Sequence, residues 1–109
     1  MSQFDVHRNT GRNAAQIPFV VIVQSAAFDD RKRRIVIPLW AGEKAREEVD
    51  IPFSRINPTF TVEGIQVILH PLQIVSVPVD TLGKSVGSLA DEGEAIITAL
   101  DEVFSRALG

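Results

Sequence analysis

The 109-residue sequence contains no cysteine. That excludes disulfides, zinc–thiolate centres and cysteine nucleophiles, and it suits a reducing compartment. The chain also lacks an excess of positive charge, with a net charge of −3 and an isoelectric point near 5.3. Dedicated nucleic-acid binders usually carry a net basic surface, so no direct nucleic-acid contact is expected. No apolar run approaches the length of a membrane span. The opening MSQFDVHRNTGR puts charges where a secretion signal needs an apolar stretch. The expectation is a cytoplasmic protein with no membrane association.

Catalytic signatures are scarce as well. His7 and His70 are the only two histidines, and neither an H-x-x-x-H nor an H-E-x-x-H spacing occurs. No G-x-S-x-G elbow is present. Gly83 and Gly87 in TLGKSVGSLADEG do not form a phosphate loop, because the lysine precedes the second glycine. Glu92, Glu94, Asp101 and Glu102 are the charged outer face that an amphipathic helix needs in any case. Trp40, the single tryptophan, follows a buried run and suits core or rim packing. No catalytic residue, metal or cofactor is expected.

What is present is ordinary for a globular domain: 45% apolar and 23% charged residues in a chain long enough for one core. No linker or repeat divides it, so residues 1–109 read as a single domain. Gln3 to His7 is a short first strand, and Arg8 to Gln16 is a polar loop. Ile17 to Gln24 is apolar on both alternating faces, as in a central strand covered on both sides, with Pro18 at its beginning. Ile35 to Leu39 is a second buried run. Thr59 to Val62 and Ile65 to Leu69 are strands joined by the turn signal Glu63-Gly64, and Leu72 to Val79 is another strand. Ala41 to Arg55 reads either as a short helix or as an excursion between strands.

The tail changes period. Ile96, Ile97, Leu100, Val103, Phe104, Ala107 and Leu108 recur at helical spacing, with Asp91 as a cap and Glu94 as a first-turn acid. Five or six strands followed by one helix predict a mostly β fold, a small antiparallel barrel-like sheet with a C-terminal α-helix. One stretch bears directly on function. DDRKRR, Asp29 to Arg34, lies between two β-like runs. It reads first as a hairpin tip kept soluble by its charges, and second as a nucleic-acid contact.

Several stretches resemble the CcdB family of toxins. Val20 to Leu39, VVIVQSAAFDDRKRRIVIPL, is similar to the family's strand–turn–strand pattern: VQS, a charged turn ending in Arg-Arg, then V-I-P-L. Ser76 to Phe104 resembles its end, with S-V-P-V, a glycine four residues later and a helix closing on phenylalanine. Gln3 to Val6 fits its opening strand. The resemblance is weakest from Arg8 to Gln16 and from Ala41 to Thr61.

It implies an SH3-like barrel related to MazF and Kid toxins and a symmetric homodimer. It further implies a toxin that acts by binding the A subunit of DNA gyrase and is neutralised by a CcdA-like antitoxin. The family helix ends on phenylalanine followed by Trp-Gly-Ile, and the gyrase contact depends on that end. Here Phe104 is followed by Ser105, Arg106 and Ala107. An isoleucine pair in the family's turn corresponds to Ala27 and Phe28, and Asp101 stands where the toxin helix has asparagine. By resemblance, then, Ala27, Phe28, Asp101, Phe104, Ser105, Arg106 and Ala107 make up an altered target-binding face. Two alternatives stand beside this reading. One is a MazF-like endoribonuclease using Arg31, Arg33 and Arg34 on phosphate. The other is a detoxified member kept to bind an antitoxin.

Overall fold

A computed structural model describes residues 2–42, 45, 51 and 54–105. The ambiguous segment from Ala41 to Arg55 and the tail beyond Ser105 therefore fall largely outside the described residues. Among the described residues seven strands form one antiparallel sheet: β1 (Asp5–Arg8), β2 (Phe19–Ile22), β3 (Arg33–Ala41), β4 (Thr59–Val62), β5 (Ile65–Leu69), β6 (Val75–Pro78) and β7 (Ser85–Ser88). Their order is β4-β5-β3-β2-β1-β7, and β6 also pairs with β3. The helix α1 (Gly93–Phe104) follows β7 after a 3₁₀ turn over Ala90–Glu92.

β3 organises the sheet. It pairs with β2 along Val36 to Leu39, with β6 along Arg33 to Val36, and with β5 along Leu39 to Ala41. Proline in a central strand normally breaks a ladder. Pro38 escapes this because it falls where one neighbour hands over to the next. Its carbonyl accepts from the His70 N–H on the β5–β6 side, so its ring nitrogen faces that same side. There β6 has stopped pairing at Val36 and β5 begins at Leu39, and the 3₁₀ turn Pro71–Gln73 spans the gap. No ladder partner waits for the missing donor. Pro18 is placed as expected, just ahead of β2, with its carbonyl accepting from the Asn9 N–H.

Both faces of the sheet are covered, which is why the strand sequences read as nearly continuous apolar runs. On one face Val6, Val21, Ile37, Leu39, Val67 and Leu69 pack with Ile96 and Ala99 of α1. On the other, Trp40 and Ile68 pack with Ala45 and Ile51. Trp40 is buried there, and its indole N–H donates to Gln73 Oε1 at 2.9 Å. The turn Glu63-Gly64 joins β4 and β5 with φ of 50° and 76°. Positive φ at both central residues is the hairpin geometry that glycine favours in the second position.

Three details differ from the sequence reading. β7, Ser85–Ser88, is a strand where none was expected, because SVGS carries no apolar alternation; β1 holds it at the sheet edge. Asp91 is not the cap of α1. It lies inside the preceding 3₁₀ turn, whose first N–H, on Ala90, is bonded by Ser88 Oγ at 3.0 Å. Leu72 and Gln73, expected to open the strand Leu72 to Val79, form instead with Pro71 the 3₁₀ turn that bridges the gap beside Pro38, and Val79 at its other end begins a second 3₁₀ turn.

Candidate target-binding surface

The charged stretch Asp29 to Arg34 is the tip and return of the β2–β3 hairpin, as the first of the two readings held. The four bases do different things. Arg34 is 4% exposed. Its guanidinium donates to the carbonyls of Arg31 at 2.6 Å, Arg33 at 3.0 Å and Asp29. Five donors in a rigid fork suit this task, and they satisfy carbonyls that the tight turn leaves without strand partners. Arg33 reaches across to β6, where Ser76 accepts from it twice. Arg31 and Lys32 are exposed. Two of the four bases therefore build the turn.

Gln24 fixes the turn from the other side. Its amide donates to the carbonyls of Phe28 and Arg33, both at 3.3 Å, and its Oε1 accepts from the Ile35 N–H at 3.0 Å. Ser25 caps the 3₁₀ turn Ala26–Phe28 by accepting from the Ala27 N–H. Held in this way, Ala27 is exposed and Phe28 projects outward, 52% exposed. No core contact accounts for an aromatic ring in that position, which makes it available to a partner.

The helix carries two apolar faces. Ile96, Ala99 and Leu100 turn toward the sheet, and Val103 is half-buried. Ile97 and Phe104, at 40% and 63% exposed, do not. With Asp101 they stand at i, i+4 and i+7, on one outward face. By spacing alone Ile97 and Phe104 belong to the same stripe as the residues that face the sheet. Periodicity alone could not divide them, because a stripe wide enough to cover a core also includes its own edges. Ser105 closes the helix with its N–H on the Asp101 carbonyl at 2.7 Å, while Arg106 and Ala107 lie outside the described residues.

Within one chain the turn and the helix end do not meet. α1 starts beside Phe4, whose N–H donates to the Ile22 carbonyl, and Ser2 bonds Asp29 at this same end of the molecule. The 12-residue helix is about 18 Å long. Near its far end Glu102 pairs with Arg55 at 2.9 Å. No hydrogen bond or ion pair among the described residues joins Ala27 or Phe28 to Asp101, Phe104 or Ser105.

His7 is buried, with Nδ1 2.9 Å from the Gly83 carbonyl. A carbonyl can only accept, so Nδ1 carries the proton, and Nε2 is left buried and without a partner among the described residues. Burial lowers the pKa of His70 below the ordinary imidazole value. β1 and the end of β5 are separated in the sheet by β2 and β3, so the two rings do not form a pair. Among the described residues no cluster of His, Asp and Glu is placed to hold a metal ion. A cavity of about 360 Å³ lies under the loop that precedes β2, with walls from Ile17, Val20, Val36, Pro38, Val75 and Val77. Rim groups are already satisfied within the chain: Asn9 donates to the Ile17 carbonyl and Thr10 to that of Thr81. Among the described residues, no helix is long and apolar enough to cross a membrane.

Residues 3–105 match the family model described as CcdB protein. No individual curated protein matches the chain.

Proposed function

The chain belongs to the CcdB family, and from that premise we propose that it is the toxin of a toxin–antitoxin module that acts by binding a protein. The proposed target is the A subunit of DNA gyrase, and a CcdA-like antitoxin neutralises it. The working form is a homodimer. The observation that carries this reading is the family match over nearly the whole chain. The exposed apolar residues on the two elements that the family uses for its target support it: Phe28 on the turn, and Ile97 and Phe104 on the helix. A binding toxin needs no nucleophile, metal or cofactor, and the reading accordingly assigns none.

The contact face comprises Ala27, Phe28, Asp101, Phe104, Ser105, Arg106 and Ala107. Ser105 offers little apolar area where the family places tryptophan. Arg106, on a tight interface, has to be desolvated or paired. Loss of a buried tryptophan anchor removes about 2 kcal/mol or more at a hot spot. Binding to the A subunit of an enteric laboratory host is therefore weak. Substituting Ser105→Trp, Arg106→Gly and Ala107→Ile together restores part of it.

Titration of an A-subunit fragment against the native and the triply substituted protein, with colony counts after induction, tests this. Tight binding by the native protein shows the anchor to be dispensable here. Failure of both proteins to bind overturns the gyrase assignment and leaves a module with another target or a detoxified member. The endoribonuclease alternative draws no support from the turn. Arg34 is buried and committed to backbone carbonyls, and Arg33 gives two of its donors to Ser76, so two of the three arginines it invokes already serve the fold.

A further inference from the structure

The sheet face that carries Trp40 holds the cavity of about 360 Å³ beside it, and the strand sequences account for the space. Val36 and Pro38 alternate with Ile37 and so share one face of β3, where Val20 of β2 stands opposite Pro38. Val75 of β6 is opposite Val36, and Val77 lies two residues on along the same face. All of these side chains are short. At Pro38 the neighbour on one edge of β3 changes from β6 to β5, so no strand closes the floor at that point. Ile17, ahead of β2, supplies a further aliphatic wall.

The lining carries one charged residue, Arg8, and its charge is turned away. Arg8 is opposite Phe19, which faces the other side of the sheet from Val20. Its guanidinium lies 5.9 Å over the Phe19 ring and bonds Glu63 at 2.6 Å. The polar side chains of the rim are almost all spent. Asn9, Thr10 and Thr81 donate to the carbonyls of Ile17, Thr81 and Pro78, and Asn9 Oδ1 accepts from the Gly11 N–H. Gln73 is the exception. The Trp40 indole N–H is only a donor, so the amide oxygen of Gln73 must face it, at 2.9 Å. That bond fixes which end of the amide is left over. Nε2, with two N–H groups, has no partner among the described residues.

We infer that this cavity binds a small, uncharged aliphatic molecule bearing one carbonyl oxygen, its apolar body against the valines and Pro38 and its oxygen accepting from Gln73 Nε2. The volume falls at the lower end of the range that small-molecule sites occupy, about 300–1,000 Å³. An apolar guest gains the dispersion contacts that an aliphatic cavity offers and that water uses poorly. A carboxylate or an ammonium group loses its hydration there and finds no opposite charge, which excludes both. A single carbonyl matches the single uncommitted donor, and the donor's orientation is set before the ligand arrives. The inference uses neither the β2–β3 turn nor the helix end, and it stands apart from the binding-toxin reading.

The test is isothermal titration of the full-length protein with methyl heptyl ketone, and with nonanoate and nonylammonium as charged counterparts of the same chain length. The ketone binds saturably, one molecule per chain, and each charged counterpart binds at least about tenfold more weakly. Gln73→Glu keeps an oxygen for the Trp40 indole and removes the free donor. It weakens the ketone about tenfold, with Trp40 emission and the urea midpoint unchanged because position 73 is exposed. Val20→Phe puts a ring into the cavity and abolishes binding. If that protein does not fold, Gln73→Glu decides the matter alone. Equal binding of nonanoate, indifference of ketone binding to both substitutions, or no saturable binding by the native protein overturns the inference. Affinity that falls as protein concentration rises overturns it as well, and gives the cavity to a side chain of a second copy.

Discussion

Replacing Gly93 with alanine sets two effects of opposite sign against each other. Alanine is the better helix former, by about 0.5–1 kcal/mol in a helix interior and less in the first turn, where Gly93 stands. Against this, a Cβ at position 93 lies 2.5 Å from Phe4 Cε2 and 3.0 Å from Cδ2 and Cζ. Carbon atoms prefer about 3.5–4.0 Å, so the ring has to move by most of an ångström. A flexible side chain would do so cheaply, but Phe4 is held at its backbone. Its N–H donates to Ile22 at 2.6 Å and its carbonyl accepts from Leu89 at 2.8 Å. Its φ of 69° is already in the left-handed region, unusual for a bulky residue.

Overpacking of this kind costs about 1–3 kcal/mol and outweighs the helix gain. We expect Gly93→Ala to lose about 1–2 kcal/mol net, a fall in Tm on the order of 4–8 °C per kcal/mol. Urea unfolding followed by the fluorescence of Trp40 measures it, at fixed protein concentration because association shifts apparent stability. In a Phe4→Ala background the clash is absent, and the same substitution becomes neutral or slightly stabilising. A Gly93→Ala protein at least as stable as the native one, with Phe4 in place, refutes the account.

Other outcomes follow from the same structure. Arg34→Met strands the carbonyls that Arg34 serves in the turn and lowers stability by about 2–3 kcal/mol, whereas Arg31→Ala changes it by less than about 0.5 kcal/mol; urea midpoints of the two proteins check the contrast. His70 has its pKa lowered by burial, so the unfolded chain takes up a proton before the folded one does. The stability it supports is complete above 6.5, the ordinary imidazole value, and is lost as pH falls from there through the lowered folded value. Unfolding midpoints across this range fall in the native protein and fall less steeply in His70→Asn. Light scattering at micromolar concentration gives the mass of a dimer, with Leu72 and Val75 among the exposed apolar side chains available for association; a monomer mass throughout refutes it. Incubation with mixed-sequence RNA, with and without magnesium, leaves the RNA intact. Cuts that vanish in Arg31→Ala or Arg33→Ala would restore the nuclease reading.

Much of the fold is written in local pattern. Ile17 to Gln24 and Ile35 to Leu39 are apolar at successive positions, and only a sheet buried on both faces accepts such strands. Glu63-Gly64 marks its own hairpin, since few pairs tolerate two positive φ angles. The change to helical spacing after Leu89 marks α1. The ordered run of VQS, Arg-Arg, V-I-P-L and S-V-P-V carries the family. These signals are legible because each depends on neighbours a few residues away.

What the tertiary structure decided depends on residues far apart in the chain. Pro38 is tolerated because β5 and β6 divide one edge of β3 and leave a gap there, which no window around the proline reveals. Arg34 and Arg31 look alike in DDRKRR. One is buried among carbonyls and the other exposed, because Arg34 opens β3 and folds back under the turn while Arg31 stands at its tip. SVGS becomes a strand only because β1 offers it an edge. Ile97 and Phe104 were legible as apolar, but not as outward-facing. Gly93 brings the start of α1 close against Phe4, and with the helix seated there Ile97 and Phe104 stay exposed while Ile96 and Ala99 are buried.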